Sequence, residues 1–314
     1  MRIAEYDDVD PLQVLHINVL CLDFALTPEL VRLIRRMDPR PLPFFALYAL
    51  EGNTVAGQVG IFRLPMVSAA GATEVGGVWA VSTHPAWHGR GVASLLLNEA
   101  HARMAAAGLR FSTLATDRFR VAHRLYEKHG YHDLYAPAAT LGPSAALPRR
   151  PGLRAEPAGV QRLELADRLF EQIARGQLGF ARRHTPYFPF LHARGALDAE
   201  DLWLLWQGDE LAGYAAASVG HGLLRVRSLL LAAGLDAPAA AAILAQATDT
   251  RTIEVRLDRY GDAESFARSG FQITLDSWAT FMVKPLAADA TVGEFRRVYG
   301  LEQGQFLISY LDTT

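Results

Sequence analysis

The 314-residue chain has one cysteine, Cys21, and two lysines, Lys128 and Lys284. One cysteine permits neither a disulfide framework nor a thiolate zinc site, so nothing points to an oxidising compartment. An excess of one charge is also missing: 31 basic residues, 29 of them arginine (31 less the two lysines), stand against 33 acidic ones, a formal net charge of −2. Holding nucleic-acid phosphates or anionic lipid needs clustered positive charge, so neither nucleic acid nor membrane is expected as a partner. Long apolar runs are absent too. The most apolar stretch, Leu229 to Ala247, is interrupted by Gly234, Asp236 and Pro238 and is too weakly apolar for a bilayer span. The acidic start, MRIAEYDDVDP, has no positive segment leading into an apolar one, which reads as no secretory signal and a cytoplasmic protein. At roughly 100 to 200 residues per domain, the length suggests two domains.

An internal repeat supports that count. Glu51-Gly52-Asn53-Thr54-Val55-Ala56-Gly57 reads as a hairpin turn, because Gly-Asn supplies the positive φ angles such a turn needs. The phrase returns as Gln207-Gly208-Asp209-Glu210-Leu211-Ala212-Gly213, and Tyr126-Glu127-Lys128-His129-Gly130-Tyr131 returns as Phe266-Ala267-Arg268-Ser269-Gly270-Phe271. The separations are 156 and 140 residues, so the later copy is shorter by 16. The reading is two copies of one domain, 1–144 and 153–314, joined by a Pro/Gly/Ser-containing linker at 145–152.

Each copy alternates strands with helices, which predicts an α/β fold with a mixed sheet covered on both faces. In the first copy the pattern predicts strands at Arg2–Tyr6, Phe44–Leu50, Thr54–Leu64, Glu74–Thr83, Arg110–Thr116 and Tyr131–Leu141. Helices are predicted at Pro11–Leu20, Pro28–Met37, Gly91–Ala107 and Arg118–His129. Beyond Leu286, a helix at Thr291–Tyr299 and a strand at Gln305–Leu311 have no counterpart in the first copy.

The segment carrying chemistry is Thr83-His84-Pro85-Ala86-Trp87-His88-Gly89-Arg90-Gly91-Val92-Ala93-Ser94, a strand end, a glycine-bearing loop and a helix N-terminus. Such a turn gathers unpaired backbone N–H groups and the positive helix end around one point, which makes an anion site. Gly89 and Gly91 allow close backbone approach, and Arg90 can add a charged contact. The spacing is neither GxGxxG nor GxxxxGK[ST], so dinucleotide and Walker readings fail. His84, His88, His123, His129 and His132 lack a compact ligand spacing such as HExxH, and no metal is expected.

With hairpin, loop-helix and terminal LYEKHGY in this order, the first half resembles the GNAT acyltransferase superfamily, whose acetyl-CoA pyrophosphate loop reads Q/R-x-x-G-x-G/A. Gly91 and Ala93 match its last two fixed positions; His88 departs from the first. The resemblance implies two tandem GNAT-like domains and acetyl-CoA as co-substrate. The loop residues His88, Gly89, Arg90, Gly91, Val92, Ala93 and Ser94 would hold its pyrophosphate, and backbone groups of Val81, Ser82 and Thr83 would pair with the pantetheine arm. Tyr126 matches the tyrosine that protonates the departing CoA thiolate, a role suited to a phenol of ordinary pKa about 10. Relatives often have an asparagine three residues before the first alanine of that helix, where this chain has Phe119. Many members also use a glutamate on the strand before the loop as general base. That position falls near Gly76 and Gly77, leaving Glu74 as a candidate and bulk water as the default. Cys21, Asp23 and Phe24 fall where relatives build the acceptor pocket; by residue type, Cys21 reads as a small hydrophobe and Asp23 as a cap or surface charge.

The second copy lacks both chemical features. Its loop, Leu231-Ala232-Ala233-Gly234-Leu235-Asp236-Ala237-Pro238, has one glycine, no basic residue and an added carboxylate, and Phe266 replaces Tyr126. The expectation is an active first domain and a degenerate second one, in a monomer or homodimer that acetylates a primary amine of a small molecule or peptide. Mycothiol synthases are tandem members with the activity in the second domain, the opposite arrangement. The mycobacterial enhanced-intracellular-survival acetyltransferases share this arrangement but carry a third domain, for which the about 29 residues after Pro285 are too few. The alternative is a non-catalytic acyl-CoA sensor, told apart by whether an acceptor cleft stands open beside Tyr126.

Overall fold

The computed structural model describes all residues except 185, 258–261, 275–278 and 313–314, and the side chain of residue 262. In the first half the elements are β1 (Arg2–Glu5), α1 (Pro11–Leu22), α2 (Pro28–Met37), β2 (Pro41–Glu51), β3 (Thr54–Ser68), β4 (Gly71–Thr83), α3 (Val92–Ala106), β5 (Phe111–Thr116), α4 (Val121–Lys128), β6 (His132–Tyr135) and β7 (Ala139–Pro143). The second half runs β8 (Leu153–Pro157), α5 (Leu163–Ile173), β9 (Leu178–Gly179), α6 (Tyr187–Ala193), β10 (Leu202–Gln207), β11 (Glu210–Gly220), β12 (Leu223–Leu231), α7 (Ala237–Ala247), β13 (Thr252–Arg256), α8 (Asp262–Arg268), β14 (Gln272–Thr274), β15 (Thr280–Pro285), α9 (Val292–Val298) and β16 (Phe306–Leu307). No described helix is long and apolar enough to cross a membrane.

Local rules account for the helices of the first half. Asp10 and Thr27 cap α1 and α2 by accepting the N–H of Leu12 and Leu30, each with proline in the first turn. β2 buries alternate faces: Phe45, Ala46 and Tyr48 pack with Val14, Ile17, Val31 and Ile34 of α1 and α2, while Leu47 and Ala49 pack with Leu96, Leu97 and Ala100 of α3. Helices therefore cover the first sheet on both sides, as the alternation predicts.

The two sheets exchange strands. The first runs β1-β2-β3-β4-β5-β15-β6 and the second β14-β7-β13-β12-β11-β10-β8. Thus β15, late in the chain, lies antiparallel between β5 and β6, with Phe281 beside Ala115 and Tyr135. Conversely β7 lies between β13 and β14. The single strand expected over Tyr131–Leu141 is instead two, β6 and β7, serving different sheets. Boundaries at 144 and 153 therefore do not coincide with sheet membership.

The halves also share one core. Tyr6, Phe45 and Tyr48 belong to the same buried cluster as Phe170, Phe188 and Tyr214. The C-terminal helix α9 packs on the first sheet, its Phe295 5.1 Å from the ring of Phe111 and 6.5 Å from that of Phe281. The strand expected over Gln305–Leu311 shrinks to β16, followed by a turn whose Asp312 forms a buried pair with Arg183 at 2.7 and 2.9 Å.

Candidate active site

β4 and β5 run parallel but pair only at Gly76–Ser112 and Gly77–Thr113; beyond that the strands diverge. A bulge in β4 turns its end away. The register against β3 moves from Gly60–Trp79 to Gln58–Ser82, so Ala80 and Val81 face Val59 alone. Ala80 takes φ 51°, a left-handed conformation that costs an alanine roughly 1–2 kcal/mol. A bulge of this kind bends the strand and re-aims its side chains. No glycine marks the position, and the sequence reading missed it. The buried hydroxyl of Ser82, just beyond the bulge, has no hydrogen-bond partner.

At the end of β4 the loop closes on itself. The His88 ring nitrogen Nε2 donates to the carbonyl of Thr83 at 2.8 Å, and the Cys21 thiol donates to the same oxygen at 3.6 Å. His88 thus ties the loop to the strand. Gly89 and Gly91 take φ 75° and 77°, and no atom lies within 4 Å of a Cβ built on either. The N–H groups of Gly89, Gly91, Val92, Ala93 and Ser94 have no partner among the described residues. Five free donors thus gather at the start of a 15-residue helix, an end that favours negative charge.

Tyr126, on α4, is 8% exposed, and burial pushes its pKa up to about 12. Its ring meets that of Tyr131 edge-on at 5.8 Å. α4 is held against the start of α3 by His129 Nε2 and Ser94 Oγ at 3.0 Å. The exchanged strand completes this anchor: Lys284 donates to the His129 carbonyl at 2.6 Å and to His101 Nδ1 at 3.2 Å. Burial, with Lys284 beside it, lowers the pKa of His101 to about 3, so the ring stays neutral and can accept. Neither Lys284 nor His129 was expected at the site, because their meeting depends on the strand exchange.

On the other side of the sheet a cavity of about 270 Å³ opens among Leu22, Phe24, Phe62, Trp79, Ala80 and Arg194. Of the three residues expected there, Phe24 lines it. Asp23 is the exposed residue that ends α1 at φ 52°, and Cys21 is turned onto Thr83. Trp79 stacks on Phe62 at 4.9 Å, over Gly60, where an added Cβ would lie 2.1 Å from the indole. Gly60→Ala should therefore displace Trp79 and cost about 1–3 kcal/mol by overpacking; urea unfolding checks this, and an unchanged midpoint would rule out the contact.

Glu74 is placed elsewhere. Its exposed carboxylate pairs with Arg63 at 3.3 Å, five residues before Trp79, or about 17 Å along a strand. No group of three or more potential metal ligands occurs among the described residues.

The second half repeats the scaffold without the donors. The carboxylate of Asp236 accepts the Ala239 N–H at 3.3 Å and so fills the start of α7. Phe266, fully buried, packs on Phe271 at 5.4 Å, matching the Tyr126–Tyr131 pair without a hydroxyl. β12 and β13 stay paired from Leu223–Thr252 to Val226–Val255, a longer run than in the first sheet.

Residues 12–131 match the sequence profile of the acetyltransferase (GNAT) family. The first half carries a GNAT-family domain. No curated protein matches the sequence. Among solved structures, a probable N-acyltransferase from Enterococcus faecalis V583 is similar at 12% identity and TM-score 0.69, covering 91% of this chain and 72% of that one. A GCN5-related N-acetyltransferase from Anabaena variabilis gives 19%, 0.65, 91% and 73% for the same measures. A tandem GNAT protein from the clavulanic acid biosynthesis pathway gives 13%, 0.56, 92% and 99%. At these identities the likeness is one of fold, and it extends over both halves of the chain.

Proposed function

We propose that the chain is an N-acetyltransferase that moves an acetyl group from acetyl-CoA directly to a primary amine, in the first of its two GNAT-like units. The observation carrying this reading is the grouping of three features around the end of β4: free N–H groups at the start of α3 on one side, Tyr126 packed in the same cluster as Val81 and Val92, and an open cavity past Trp79 on the other. The α3 N–H groups and Arg90 would hold the pyrophosphate, and the edge of β4 from Val81 to Thr83 the pantetheine arm. The amine nitrogen attacks the thioester carbonyl carbon, a C–N bond forms and the C–S bond breaks. Water takes the proton the ammonium loses before attack and the one the nitrogen loses from the tetrahedral intermediate; Tyr126 gives its proton to the leaving sulfur and regains one from water, so one proton is released overall. With its pKa raised, Tyr126 keeps that proton throughout the neutral range. The cavity at Trp79 supports turnover over an acyl-CoA sensor, which needs no acceptor cleft. A cytoplasmic setting fits the single cysteine and a free-thiol product.

The test is thiol release from acetyl-CoA over a panel of amino acids, polyamines, aminoglycosides and peptide N-termini. At least one should be acetylated at its amine; acetyl-CoA binding with no thiol release from any would support the sensor.

A further inference from the structure

A second cavity, of about 470 Å³, adjoins the first and shares Arg194 with it. Its walls include Asp117 at the end of β5, Arg120 just before α4, Arg194 just after α6, and Arg227 of β12. The register of β12 against β11 slips at Arg227, with Val226 facing Ala217 and Ser228 facing Ala216, so Arg227 is an unpaired bulge residue. Three guanidinium groups thus line the walls with one carboxylate.

The pairing of these arginines is incomplete. Arg194 Nε and Arg227 Nε are buried and have no hydrogen-bond partner. Asp201 reaches only the Nη2 of Arg227, at 3.6 Å. Arg194 rests over the ring of Phe190 at 5.3 Å; Asp38 lies on the same cavity wall but pairs with Arg40 at 2.8 Å and forms no ion pair with Arg194. Withdrawing a guanidinium N–H from water without a partner is costly, and an oxyanion that enters the cavity removes that cost. Burial lowers the pKa of Arg194, yet a guanidinium stays protonated.

We propose that the acceptor amine carries an acidic group, a carboxylate or a phosphate, bound by Arg194 and Arg227, with its apolar part against Trp79 and Phe24. This rests on the N-acetyltransferase reading and narrows its substrate class. The acid belongs to the acceptor because Arg194 also walls the apolar cavity beside α1 and α2. The second unit then has a defined part in the site: Arg194 and Arg227 both come from it.

The experiment compares matched amines: phenylalanine with phenethylamine, and glucosamine 6-phosphate with glucosamine. The acidic member of at least one pair should be acetylated with a kcat/KM at least tenfold higher, and the two pairs separate carboxylate from phosphate. Arg194→Met should raise KM for that member at least tenfold, with kcat within about threefold. Equal rates within both pairs, or an unchanged KM in Arg194→Met, would overturn the proposal. A preference for succinyl-CoA over acetyl-CoA that Arg194→Met abolishes would overturn it by moving the acid to the acyl group. A separate arm needs no turnover: inorganic phosphate should raise Tm saturably in Gly91→Trp protein, whose α3 cradle is blocked, and not after Arg194→Met and Arg227→Met are added. Equal responses would overturn the proposal; loss of acetyl-CoA turnover with this difference intact would instead count against the acetyltransferase reading.

Discussion

Tyr126→Phe lowers kcat by roughly 10²–10⁴-fold, the contribution of a positioned general acid, and leaves KM for acetyl-CoA nearly unchanged. The substitution keeps the ring that packs on Tyr131 at 5.8 Å and removes only the proton donor, so stability should change little. The pH profile separates this role from packing. A phenol raised to about 12 by burial is protonated below that value and loses its proton only above it. Wild-type kcat should therefore show no basic fall attributable to Tyr126 up to about pH 11. Steady-state kinetics with any accepted amine checks both points, and a kcat within threefold of wild type would remove Tyr126 from the mechanism.

A chain ending at residue 144 fails to fold alone. The repeat suggests a self-sufficient first unit, but its sheet takes β15 between β5 and β6, and β7 belongs to the other sheet. Phe281, Met282 and Val283 of β15 are 2%, 0% and 0% exposed. At about 1.5–3 kcal/mol for each buried side chain, their loss rivals the 5–15 kcal/mol that holds a typical domain together. The fragment should be insoluble or show no cooperative melting transition, whereas co-expression with residues 145–314 should recover a soluble complex. A soluble 1–144 fragment that binds acetyl-CoA would contradict the exchanged arrangement.

Local chemistry made part of this legible from sequence. The Gly52 turn, the glycine loop and the paired Tyr126–Tyr131 and Phe266–Phe271 phrases each depend on residues close in the chain. What escaped depends on distant ones. Ala139–Pro143 and Thr280–Pro285 have ordinary strand patterns, and side-chain alternation sets which face is buried but not which sheet is joined. The bulge at Ala80 carries no glycine, so its positive φ had no composition signal. Glu74 was chosen by position along its strand, and distance from the gap and the pull of Arg63 place it apart. Arg194 lies beyond the expected linker, and only the shared core brings it to the cavity beside Trp79.

Calorimetric titration with acetyl-CoA tests the central claim most directly, because the two units share a fold and differ in their donors. The account predicts one site per chain in the wild type and none in Gly91→Trp, where a bulky side chain at φ 77° covers the start of α3. Two sites per chain, or undiminished binding in Gly91→Trp, would contradict it.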